Sequence, residues 1–245
     1  MVVLAIDRAA LLSPWRRRPV AEKALLSLGM LALSVGLPPF PGGALAGIVM
    51  LVITFGPARV PFRTWLAAMA APVGFLLTGA VTLLFSVGSH GVAFAPQGAT
   101  AALELLTRSF SAITCLLFLS LTTPATDLVA GLRRLGVPRD LADIAMLTYR
   151  FVFTVADAAL AMNHAQQARL GHSTRRRWIR SVGLLIANLL PRTLDRARRL
   201  ETGLAARGWD GEMRVLSETP RASASVLAAI LALEIAVCAI GVLLR

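Results

Sequence analysis

Residues 64–86 read TWLAAMAAPVGFLLTGAVTLLFS, 23 positions without one charged side chain. As a helix rising 1.5 Å per residue this stretch covers about 35 Å, enough to cross the roughly 30 Å hydrocarbon core of a bilayer. The flanks agree with a span. Arg59 and Arg63 precede it, whereas the loop of about 87–100 that follows holds no Lys or Arg, so the first end faces the cytoplasm and the second the outside.

Working outward, residues 24–58, 109–126 and 222–233 are also free of charge. The run Pro38-Pro39-Phe40-Pro41-Gly42-Gly43 cannot continue a helix and breaks the first of these stretches into pieces of about 24–37 and 44–58, joined by an outside turn. Residues 103–123 return the chain to the cytoplasm and 222–244 form a last span. The expectation is an all-α integral membrane protein with about five spans, N-terminus inside, in three parts: residues 1–123, a cytoplasmic region 124–220, and 221–245. The composition agrees, with 56% hydrophobic residues and a mean hydropathy of +0.71. The N-terminal region has no apolar stretch closed by a small-residue cleavage site, so no secretory signal is expected.

The formal charge of +12 is explained by topology and by anionic headgroups near the bilayer rather than by nucleic acid, because the basic residues collect on one side, Arg108 and Arg245 excepted. Sixteen of the twenty-five lie between Pro124 and Arg221. The one lysine, Lys23, follows no glycine-rich loop, which excludes a phosphate loop and ATP binding of that kind. His90, His164 and His172 are scattered, and Cys115 and Cys238 sit in apolar segments without a metal-ligand spacing, so neither a metal site nor a cofactor is expected. Gly88-Ser89-His90 lacks the strand-to-helix turn of a hydrolase nucleophile and reads as a polar loop. Gly43 and Gly47 have the spacing that lets helices approach closely. Glu234 is the one acid in the middle of a span, which marks it as a candidate for an ion role or a structural hydrogen bond.

Within 124–220 two long helical patterns stand out. In the first, Asp143, Arg150, Asp157 and His164 recur every seven positions and leave Leu147, Phe151, Phe153 and Val155 for apolar contacts. Three charges at depth would each cost about 2.5 to 3.5 kcal/mol, so this helix is expected at the interface or against the spans. The second runs over about 175–207 and contains Pro191, which either kinks it or starts a new helix. Beyond it Leu194, Ala197, Leu200 and Leu204 form one stripe and Arg192, Arg196 and Arg199 another. Gly208 after Arg207 is suited to a C-cap.

Leu132-Arg133-Arg134-Leu135-Gly136-Val137-Pro138, Tyr149-Arg150-Phe151 and Ala206-Arg207-Gly208-Trp209-Asp210-Gly211 together resemble the transmembrane T component of energy-coupling factor (ECF) transporters, in its CbiQ-like cobalt and nickel branch. The likeness covers about 120–215 in motifs and nearly the whole chain in architecture. It implies a non-catalytic coupling subunit of an ABC importer in the inner membrane, working with two ABC-type ATPase subunits, a metal-selective substrate-binding membrane subunit and a small accessory membrane subunit. It also implies that two helices end in Ala-Arg-Gly motifs that dock on the ATPases. Ala206, Arg207 and Gly208 match that motif; Ala168, Arg169 and Leu170 match it with leucine in the glycine position and Gly171 following. Arg192, Arg196, Arg199, Trp209 and Asp210 are further candidates for the coupling surface. A self-contained secondary transporter or channel is the alternative expectation, with Glu234 as its obvious working residue.

Overall fold

The computed structural model describes residues 6, 9–88, 91–208 and 222–244. It divides into two compact units, Met1–Gly131 with Glu218–Arg245, and Leu132–Ser217.

The first unit is a helical bundle. Its helices are α1 (Val20–Gly36), α2 (Ala44–Phe55), α3 (Phe62–Leu83), α4 (Gly98–Thr122), α5 (Ala125–Arg134, which runs on into the second unit) and α8 (Ala224–Leu243). The apolar 25-residue α4 is central, packing against α1, α2 and α3, while α8 packs against α1. Leu26, Met30, Met50, Trp65, Met69, Cys115, Phe118, Leu121 and Val237 meet in the core. Of the two cysteines in apolar segments, Cys115 is buried and Cys238 half-buried. At Gly47 a β-carbon would collide with the side chain of Ser111 on α4, so the glycine is what lets α2 approach that closely.

Among the described residues four helices are long and apolar enough to cross a membrane: α3, α4, α8 and α6 (Arg139–Ala168) of the second unit. The chain is thus an all-α integral membrane protein. The two N-terminal helices are short, at 17 and 12 residues, because Pro38 to Gly43 interrupts them. That α6 meets the same criterion differs from the sequence reading: its charges are spread so thinly that an 18-residue apolar window remains. The loop after α3 is also more regular than expected, forming an antiparallel ribbon of β1 (Phe85–Gly88) and β2 (Gly91–Phe94) with Phe85 opposite Phe94. Ser89 and His90 lie outside the described residues.

One end of this unit is tied together by the segment leading into α1. Ser13 starts a short 3-10 turn, Pro14–Arg17, by accepting from the Trp15 amide. The Trp15 indole then donates to the Pro57 carbonyl at 2.9 Å, in the turn between α2 and α3, and its ring meets Phe118 edge-on at 5.6 Å. Lys23 is fully buried and donates to the carbonyls of Trp15 and Thr122, at 3.3 and 3.0 Å. Thr122 is the last residue of α4, so a cation meets the negative end of that helix. Glu22, also buried, accepts from the Ser223 amide at 3.0 Å, an anion at the positive end of α8. Two adjacent charged residues therefore cap two helices of opposite sense. Val20 completes the arrangement beneath α5, where a β-carbon on Gly131 would come within 3.2 Å of it.

In the second unit α6 and α7 (Arg175–Ala205) pack against each other. The helix starting at 175 has Thr174 as its N-cap, accepting from the Arg177 amide at 3.3 Å. It continues through Pro191 without a break, so the proline does not start a new helix. The short α5 before α6 was not separable in sequence. Gly136, with φ of 95°, and Pro138 divide the two.

Candidate coupling surface

The two Arg-containing motifs both lie at helix C-termini in the second unit. Ala168 is the last residue of α6 and Arg169 its C-cap. The turn is then closed by Leu170 donating to Gln167 at 3.0 Å and Gly171 to Gln166 at 2.8 Å, the paired bonds of a Schellman end. Such an end needs a left-handed residue, and Leu170 supplies it with φ of 57° while leaving its side chain 67% exposed. Ser181 of α7 donates to the Gly171 carbonyl at 3.1 Å, fixing the connection.

The other end has related geometry. Ala206 caps α7, and Arg207 and Gly208 donate to Leu204 and Ala205 at 3.0 and 3.1 Å. Gly208 is left-handed, with φ of 68°. In each motif, therefore, an exposed arginine directly precedes a left-handed residue, although one such residue is a leucine. A left-handed leucine costs about 1 to 2 kcal/mol that glycine does not incur. Leu170→Gly is expected to recover about 1 kcal/mol, which thermal unfolding of the purified chain in detergent would read as a raised midpoint.

Arg169 and Arg207 are not brought together. They lie at opposite ends of the 31-residue α7, about 46 Å of helix. Arg207 instead shares a groove of about 250 Å³ with Arg196, Arg199, Leu200, Gly203 and Leu204. The basic and apolar stripes read from the sequence thus meet at one groove, with Leu200 and Leu204 as an apolar floor between cations. Arg199 is paired with Asp195 one turn earlier. Arg192 is exposed but does not line the groove, and Leu194 is 51% exposed. On the α6 side Leu147 and Phe151 face Arg196 and Leu200 across a narrow gap of about 40 Å³ that Arg150 also lines. Trp209 and Asp210 lie outside the described residues.

Chemically, the groove offers forked guanidinium donors above aliphatic carbons, which suits a carboxylate-bearing protein surface rather than a small apolar molecule. Among the described residues no group of three or more His, Cys, Asp or Glu is placed to hold a metal ion. Sequence reasoning did not foresee the buried Lys23 and Glu22. The available signal was position, since the only lysine stands immediately before 35 uncharged residues, 24–58.

Comparison with known proteins agrees with this architecture. The family model for the cobalt transport protein CbiQ matches residues 13–217. The chain is 58% identical over 244 residues to the cobalt transport protein CbiQ of Rhodobacter capsulatus, with full coverage of both chains. It is 30% identical to the cobalt transport protein CbiQ of Salmonella typhimurium, over 86% of this chain and 99% of that protein. A putative fused cobalt transport protein CbiMQ of Methanocorpusculum labreanum is 30% identical over 87% of this chain and 38% of its own length. With a family match over most of its length and a relative aligned from end to end, the chain belongs to the CbiQ cobalt transport protein family.

Proposed function

We propose that this chain is the energy-coupling membrane subunit of an ECF-type ABC importer for cobalt or nickel ions. In this reading residues 124–220 lie on the cytoplasmic side of the inner membrane, and two ATPase subunits hydrolyse ATP and move the two arginine-ended helices. The motion passes to a separate metal-selective membrane subunit, with a small accessory subunit beside it. The protein is itself no enzyme.

The observation that carries the reading is the repeated helix end. Two exposed arginines, each before a left-handed residue, stand one helix length apart, which suits two like partners better than one. A guanidinium at a helix end makes paired, charge-assisted bonds to a carboxylate or to carbonyls, and a helix transmits displacement along its axis better than a loop does. The groove holding Arg196, Arg199 and Arg207 extends the second contact.

Replacing Arg169 and Arg207 together with glutamate is expected to leave the chain inserted in the membrane and to abolish ATPase co-purification. Co-purification of the double variant at wild-type yield would sink the docking assignment. Metal uptake into vesicles holding this chain alone would favour a self-contained transporter instead.

A further inference from the structure

Among the described residues two that are not glycine hold a positive φ, Arg59 and Leu170. Each carries a β-carbon that crowds the following carbonyl there, and Leu170 has no polar tip with which to bond its surroundings in compensation. The other arginine end avoids this cost. Directly after Arg207 the same position is Gly208, at φ of 68°. Nor can the glycine that follows Leu170 relieve it, because Gly171 is committed to packing: a β-carbon there would lie 2.5 Å from Ser181 Oγ and 2.8 Å from the Gln166 carbonyl oxygen.

Nothing among the described residues offsets the strain at Leu170. Its side chain is 67% exposed and takes no part in the core. The paired bonds to Gln166 and Gln167 come from backbone amides, which glycine at position 170 would supply equally well. An exposed leucine by itself means little. One held in a backbone conformation that favours glycine points to a contact outside the chain. Its neighbour identifies the contact, since exposed Arg169 immediately precedes it. At the other end aliphatic carbon also stands beside the guanidinium, where Leu200 and Leu204 line the groove of Arg207. Each end thus joins a cation to an apolar side chain, drawn from different positions in the sequence.

We propose that Leu170 is the apolar anchor of the first coupling end, seated in an aliphatic pocket of an ATPase subunit beside the group that receives Arg169. This rests on the proposed docking of the two arginines on ATPase subunits. The leucine then weakens the free chain and strengthens the assembled one, which sets the two properties against each other at a single residue.

The test recombines the full chain in detergent with the ATPase subunits of the native complex, using Leu170→Gly, Leu170→Ala, Leu170→Met and Arg169→Glu. Leu170→Gly is expected to raise the thermal midpoint of the free chain and yet to raise the Kd for the ATPase subunits about tenfold, as the burial of one leucine side chain is lost. Leu170→Ala keeps the β-carbon and therefore the strain, so it is expected to weaken binding similarly without raising the midpoint. Leu170→Met, of similar volume, is expected to bind within about twofold of wild type. A photo-reactive side chain at position 170 is expected to cross-link to an ATPase subunit. Wild-type affinity in the alanine variant overturns the inference, as does a lowered midpoint in the glycine variant, which would mean that the leucine packs within its own chain. Cross-links confined to lipid or to another membrane subunit overturn it too. If Arg169→Glu weakens binding and the Leu170 variants do not, only the anchor fails; if Arg169→Glu also binds as wild type, the docking of this end fails with it.

Discussion

Lys23→Ala is expected to destabilise the chain by about 2 to 5 kcal/mol, the range for truncating a long buried side chain to alanine. The ammonium satisfies the carbonyls of Trp15 and Thr122 in a site that excludes solvent entirely, and Asp127 on α5 adds an attractive charge. Alanine would leave both carbonyls without that donor and a cavity where three methylenes and the ammonium had been. The Trp15 carbonyl keeps the Arg18 amide at 3.0 Å, whereas the Thr122 carbonyl is left orphaned, which alone is worth about 1 to 3 kcal/mol. Lys23→Met separates the contributions, since it keeps most of the volume and removes the donor; it is expected to recover the cavity share only. Thermal unfolding in detergent measures all three proteins, and a midpoint for the alanine variant equal to wild type would show that the ammonium contributes nothing.

Phe118→Ala is the second large effect, about 3 to 5 kcal/mol. Phe118 is fully buried on α4 and is the ring on which Trp15 rests. Its loss opens a cavity in the core and also loosens the seat of the indole that bonds Pro57. Because Trp15 and Phe118 touch, the combined effect of Phe118→Ala and Trp15→Ala is expected to be smaller than the sum of the two, by about 0.5 to 1.5 kcal/mol for an aromatic pair. Additivity in a double-mutant cycle would show that the rings act independently.

Much of the bundle was legible because lipid imposes one strong rule, that backbone groups be satisfied within a helix. Residues 64–86 announce α3 by lack of charge, and Pro38 to Gly43 announce the break between α1 and α2. Gly208 marked the end of α7 for a similarly local reason. Long-range pairing was not legible. Nothing local to Lys23 says that its side chain turns inward to a carbonyl 99 positions away, nor that Glu22 reaches an amide 201 positions away. At Leu170 the sequence points away from a left-handed turn, because leucine disfavours it; the Schellman bonds to Gln166 and Gln167 and the Ser181 contact overrule that preference. Of the two readings open for Pro191, a kink or a new helix, the second is excluded, since α7 continues through a residue that removes one backbone donor.

The pairing of Glu22 with Ser223 has a consequence in time. A ribosome adding about 5 to 20 residues per second takes about 10 to 40 s to make the 201 residues between the two partners. Lys23 finds Thr122 about halfway through that interval, when α4 is complete. The buried carboxylate beside it has Arg18 at 3.9 Å from the moment α1 forms, but it receives its backbone donor only when the start of α8 is made. The newborn bundle therefore holds Glu22 by one partner four residues before it until α8 arrives and adds the second.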